Sequence, residues 1–350
     1  MILFSIGLPS RFAELCDALI LRLAQHCFGA VASVALNSLE ELATAVIRSR
    51  TTNVVVCCRQ PVPRLQHEIA QADLPFVVTL DDPCAALHHL VDRAGYSLAE
   101  ATRAVASSCA AMLTTTTAAG ALVLKPAEAA NLLALAAAIV RHFELPIDDS
   151  ALLDIVDCHP DAGSELTDTD LRAWLDQLSD RDRAIVNGAL GSYIAHFTGG
   201  DLEALVWEPE LFYIGEEPTS PIPTPAARPV DLTGRPRFVV FGPYINLAPG
   251  PWMADIVLGF SAEAAGMAFS IEVFCGTQLA HTHITVTGEE VNETRLHFTI
   301  GDHVDHPVQI RIQSERAAFD GRLAIGYVAV TPQAAVSEET RTRLANSLRR

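Results

Sequence analysis

A change of rhythm along the chain limits its fold more than any other feature. Through residue 143, short apolar runs alternate with helical stretches, whereas beyond residue 234 only short strands separated by turn residues remain. In the first part Met1–Ile6, Val31–Leu36, Asn53–Cys57, Phe76–Leu80 and Ala121–Leu124 read as strands. Arg11–Cys27, with apolar Leu15, Leu19 and Leu23, reads as a helix, as do Leu39–Arg48, Arg64–Ala72, Cys84–Met112 and Ala127–Phe143. Apolar strands joined by helices predict a parallel sheet covered on both faces. In the second part Arg237–Phe241, Trp252–Phe260, Ala268–Phe274, Ala280–Thr287, Thr294–Ile300, Val308–Ser314 and Leu323–Val330 predict an antiparallel β-sandwich.

The 350 residues suffice for two cores. Residues 150–217 read as helical and acidic, with a capping-box-like start at Thr167–Asp170 and a helix near Asp180–Phe197. Five prolines between Glu216 and Gly234 favour an extended linker. The expected division is an α/β domain over 1–215 with its acidic helical part at 144–217, a linker at 216–234, a sandwich over 235–332 and a polar tail or helix over 333–350.

Charge excludes some partners. The formal net charge is −18, and residues 144–217 hold 18 acidic against 3 basic side chains, so that segment alone carries 15 of the excess negative charges. Nucleic acid and anionic membranes are therefore poor partners. The eight cysteines (16, 27, 57, 58, 84, 109, 158 and 275) have no CxxC spacing and suit buried thiols in a reducing compartment. The opening MILFSIGLPSRF lacks the cationic start of a signal peptide, and Leu132–Val140 falls well short of the roughly 20 residues that span a bilayer. A cytoplasmic chain with no membrane insertion is expected.

After the first strand the chain reads Ser5-Ile-Gly-Leu-Pro-Ser-Arg-Phe-Ala-Glu14. A strand–turn–helix at this place cradles phosphates in P-loop proteins, because backbone N–H groups and a helix N-terminus converge there. Together with Val77-Val-Thr-Leu-Asp-Asp-Pro83, the strand–helix Gly120–Pro146 and the aromatic stretch Val206–Tyr213, this layout resembles the sulfotransferase branch of P-loop proteins over residues 1–215. The resemblance implies a Gly-Leu-Pro-Arg-Ser-Gly-Thr-like turn for the phosphosulfate end of a nucleotide. Gly7 and Pro9 match it, but Ser10, Arg11, Phe12 and Ala13 stand where the basic residue, second glycine and hydroxyls belong. It also implies an Arg-Asp-Pro element and a serine on the other phosphate, where this chain has Asp81 and His89. A carboxylate facing a phosphate costs affinity. The expectation is a degenerate phosphate turn (Gly7, Pro9, Ser10, Arg11) in a sulfotransferase-like pseudoenzyme that takes no cofactor.

Other residues suggest chemistry but also admit plainer structural roles. His281 and His283 alternate on one strand, and the next could bring His297 alongside to bind zinc or copper; the alternative is an exposed polar face. His303 and His306 sit in Gly301–Pro307, read as a solvated hairpin loop, and Thr114–Thr117 as a flexible loop. Cys57 and Cys58 read as packing residues, and Asp154, Asp157, Asp161, Glu165, Asp168 and Asp170, lacking EF-hand order, as a solvated acidic face.

In the second domain, Phe238-Val-Val-Phe-Gly-Pro-Tyr244 and the turn Leu247-Ala-Pro-Gly-Pro-Trp252 are similar to sandwich modules of bacterial polysaccharide glycosyltransferases. That resemblance implies a carbohydrate-binding-like fold. Tyr244 and Trp252 are the aromatics that could stack on a sugar, unless they pack the core or a turn. The function expected is a non-catalytic accessory protein of surface-polysaccharide synthesis or export, recognising a glycan or a synthase partner. Its rivals are a divergent transferase using Arg11 and an acidic protein–protein scaffold.

Overall fold

The computed structural model describes residues 1–48, 51–157, 168–215 and 224–333. Cys158, Asp161, Glu165, Thr167, residues 216–223 of the expected linker and the tail at 334–350 lie outside the described residues. The α/β unit runs β1 (Ile2–Gly7), α1 (Arg11–Phe28), β2 (Ala32–Ala35), α2 (Leu39–Arg48), β3 (Val54–Cys58), α3 (Pro63–Gln71), β4 (Phe76–Thr79), α4 (Pro83–Arg93), α5 (Leu98–Thr115), β5 (Ala121–Leu124) and α6 (Leu132–His142). Three further helices follow, α7 (Asp149–Asp157), α8 (Asp168–Gln177) and α9 (Asp180–Phe197). The five strands form a parallel sheet in the order β2-β3-β1-β4-β5.

Strand residues alternate between two cores, as a period of two requires. Leu3, Val55 and Val77 face α1, α6 and α7, while Phe4, Ile6, Val54, Val56 and Val78 face the side of α3, α4 and α5. The chain first moves from β1 toward β2 and later crosses to β4 on the other side of β1. Right-handed crossovers then send α1 to one face and α3 to the other, which opens a crevice at the carboxyl end of β1.

The sandwich comprises β6 (Leu205–Trp207), β7 (Tyr213–Ile214), β8 (Val230–Asp231), β9 (Phe238–Ile245), β10 (Gly250–Phe260), β11 (Ala268–Cys275), β12 (Thr277–Thr285), β13 (Glu290–Ile300), β14 (Val308–Ser314) and β15 (Arg322–Pro332). One sheet has the order β13-β10-β15-β6, with β8 also on β15; the other has β12-β11-β14-β9-β7. Strand pairing thus carries residues 205–214 and 230–231 into the sandwich, upstream of residue 235. Within the expected linker, Ala226 N donates to Phe212 O at 2.9 Å, so that part lies along the sandwich.

The two units share one continuous apolar core. It runs from Leu87 and Cys109 through Tyr193, Trp207 and Phe212 to Val240 and Ile310. Among the described residues no helix is long and apolar enough to cross a membrane.

Candidate functional site

The crevice at the carboxyl end of β1 is where a sheet of this topology binds ligands. Its helix N-termini are occupied by the chain's own side chains. Ser10, buried, caps α1 by accepting from Ala13 N at 3.2 Å. Asp82 caps α4 by accepting from Cys84 N at 2.7 Å, and Asp81 accepts from Asp82 N at 2.7 Å. His89 Nε2 lies 3.3 Å from Glu14 Oε1. Glu14, Asp81 and Asp82 therefore put negative charge at the positive ends of two helices, where a phosphate would gain most.

The rest of the turn is close-packed. Leu8 N donates to Thr79 O at 3.3 Å. A Cβ added at Gly7 would collide with Thr79 Oγ1 and lie 2.8 Å from Thr79 O, so this glycine permits close approach of two strands. Phe12 does not fill the turn. Its ring is buried in the core between α1 and the sheet, and Arg11 is exposed at the first position of α1. Beside it, Ser5 Oγ donates to Asp17 Oδ1 at 2.6 Å, and Arg59 pairs with Asp17 and donates to Ala13 O at 3.4 Å. Burial pushes the Asp17 carboxyl up, against the opposite pull of Arg59 and Ser5.

The sandwich separates the two aromatics that its sequence puts forward. Trp252 is 3% exposed and donates from Nε1 to Ala248 O at 2.9 Å, which makes it a core residue. Tyr244 is 39% exposed. Ile245 pairs with Val308 and Pro243 with Gln309, leaving Tyr244 as the extra residue of a β-bulge that turns its ring outward.

Tyr244 belongs to a larger surface that single-residue inspection of the sequence missed. Register places Tyr213, Phe241, Arg311, Glu272 and His281 side by side across all five strands of one sheet, on its outer face. Gln309, Phe274 and Gln278 form the neighbouring row. Tyr213, Phe241 and Tyr244 cluster with ring centroids 5.9 to 6.1 Å apart. Arg311 is held rigidly, with its guanidinium 3.4 Å from the Phe274 centroid, Nε donating to Gln309 Oε1 at 3.0 Å and Nη1 3.4 Å from Glu272 Oε1. At one end Arg103 of α5 lies 4.8 Å from the Tyr213 ring centroid and donates to Leu211 O at 3.2 Å. Burial pulls the Arg103 guanidinium down and pushes the Tyr244 phenol up, so Tyr244 stays a neutral hydroxyl at physiological pH. Only the alternation in Phe238–Tyr244 and Val308–Ser314 hinted at this face. The strand order that assembles it is non-local.

The histidines divide differently from the expected trio. His281 and His283 lie on the outer face of β12, whereas His297 lies on β13 in the opposite sheet, opposite Met253. His283 instead meets Glu315, and His281 meets Gln278 at 3.0 Å. Among the described residues no three His, Cys, Asp or Glu side chains converge for a metal. The 301–307 loop is not a free hairpin but docks on α3. Arg64 Nη1 reaches Asp305 Oδ2 at 2.8 Å, Arg64 N donates to Val304 O at 3.2 Å, and the His67 and His303 rings meet edge to face at 4.5 Å. Thr114 and Thr115 are likewise not a loop; they form the last turn of α5, each hydroxyl bonding Ala111 O.

No family profile and no curated protein matches the chain. Solved structures give a likeness of fold only. A mouse sulfotransferase complexed with PAP is 9% identical, covering 55% of this chain and 83% of its own, with a TM-score of 0.37. The CBM36-1 domain of a multidomain xylanase from the hindgut metagenome of Trinervitermes trinervoides is 11% identical, covering 38% and 99%, with a TM-score of 0.25. TmCBM61 in complex with beta-1,4-galactotriose is 12% identical, covering 37% and 82%, with a TM-score of 0.24. The class that the fold defines is a parallel-sheet α/β unit joined to an antiparallel β-sandwich.

Proposed function

We propose that the chain is a non-catalytic glycan-recognising protein that acts in surface-polysaccharide synthesis or export. One observation carries the reading: Tyr213, Phe241 and Tyr244 form a partly exposed aromatic shelf beside the immobilised Arg311. Apolar sugar faces pack on aromatic rings, while Arg311 and the exposed Gln278 offer hydrogen bonds to hydroxyls. The Arg311–Glu272 pairing leaves this face close to neutral, which suits an uncharged polysaccharide. The crowded, carboxylate-lined crevice at β1 supports the non-catalytic part.

A glycan array probed with the full chain tests the reading. Binding should fall at least roughly tenfold, about 1.4 kcal/mol, in Tyr244→Ala and in Phe241→Ala. An absence of glycan signal, or a signal that both variants retain, overturns it. PAP at millimolar concentration is expected to leave the melting temperature unchanged; a saturable rise would restore the transferase reading.

A further inference from the structure

A cavity of about 310 Å³ lies between the two units, on the α3 and α5 side of the parallel sheet, and none of the aromatic-shelf residues lines it. Its α/β wall consists of α3, the end of α5 and the sheet residues Ile6 and Phe76, and its opposite wall consists of Pro249 and Asp302 from two sandwich loops. Neither unit encloses it alone. The docking of the 301–306 loop on α3 through Arg64, His67, Asp305 and His303 sets its dimensions.

The lining selects by charge and by hydrogen bonding. Asp302 is the one carboxylate of the lining, which contains no Lys or Arg, so phosphates, sulfates and uronates meet repulsion. Gln66, 9% exposed, donates one amide hydrogen to Pro61 O at 2.8 Å and accepts from Thr114 Oγ1. A glutamine amide has two donors, and Pro61 takes one. Gln66, His67 and Asp302 thus supply donors and acceptors on one side, and Ile69 and Phe76 supply an apolar floor on the other. The volume lies at the lower end of ligand-pocket sizes and leaves room for one hexose-sized molecule.

We infer that this cavity binds one neutral, polyhydroxylated molecule of about the size of a monosaccharide. The site is separate from the aromatic shelf. Because both units contribute walls, the bound molecule stabilises their docked arrangement.

The test is thermal melting and calorimetric titration of the full chain with glucose, galactose, mannose and N-acetylglucosamine, using glucuronate and glucose phosphate as charged controls. At least one neutral sugar should raise the melting temperature saturably, and the charged controls should not. Ala118→Met, which fills the cavity, should abolish the effect. Thr114→Val, which keeps the volume and frees Gln66, should shift affinity by roughly tenfold if Ala118→Met does not fold. Tyr244→Ala should leave the effect intact. The inference is overturned if no neutral sugar acts at about 50 mM, if charged sugars act equally well, or if the effect survives both cavity variants. An effect lost in Tyr244→Ala but kept in the cavity variants also overturns it, while leaving the shelf as the glycan site.

Discussion

Trp252 and Tyr244 show how far a residue's role depends on its surroundings. Trp252→Ala should cost about 3–5 kcal/mol in urea unfolding, because it empties a buried site and removes the Nε1 bond to Ala248. Tyr244→Ala should stay within roughly 0.5 kcal/mol of the native stability while losing glycan binding. Gly7 is subject to a different constraint. Gly7→Ala should destabilise the chain, and Thr79→Ala should rescue it only in part, since the Thr79 carbonyl oxygen stays 2.8 Å from the new Cβ. Arg59→Ala leaves the Asp17 carboxyl buried without its guanidinium and should cost about 3–5 kcal/mol, measurable by denaturant unfolding. The composition of the Gly7–Glu14 turn was legible as lacking phosphate ligands. That Ser10 caps α1 and that Phe12 points to the sheet core depend on where α1 lies.

At the scale of elements, the helical pattern over Cys84–Met112 contains a break. The structure has α4 ending at Arg93 and α5 starting at Leu98, behind Gly95 at φ +71 and a Ser97/Glu100 capping box. Apolar residues recur on both sides of the break, so periodicity alone bridged it, although Ser97 and Glu100 were present to mark a start. The Ser97 hydroxyl and backbone hold the Glu100 carboxyl below its ordinary 4.5. A depressed carboxylate contributes stability above that value and loses it as pH falls through the folded-state pKa. Ser97→Ala should therefore cost about 1 kcal/mol at neutral pH, and its difference from the native chain should shrink in acid. All seven long sandwich strands were legible from alternation, whereas β6, β7 and β8, of two or three residues, were not. Such short segments are strands only because β15 and β9 present partners.

Across the whole molecule, the shared core and the strands upstream of residue 235 make the sandwich dependent on its neighbours. A fragment of residues 235–332 lacks β6, β7 and β8 and bares edges of β15 and β9, so it should aggregate or stay unfolded. One beginning at residue 204 restores those strands and should show the sharper thermal transition in circular dichroism. The full chain should melt in a single calorimetric transition, since Tyr193, Trp207 and Phe212 pack between the units in one core.

The sequence by itself determined the seven long sandwich strands, the five strands of the α/β unit, the parallel and antiparallel classes of the two units, and the carboxylates Asp81 and Asp82 at the start of α4. Those properties reside in local periodicity and in residue chemistry at fixed spacing. Only the tertiary structure decided that Trp252 is core while Tyr244 is surface, that His297 lies in the opposite sheet from His281, and that the 301–307 loop closes a cavity on α3. Those outcomes depend on strand order, bulge position and docking between units, contacts that join residues far apart in the chain and leave no periodic trace in it.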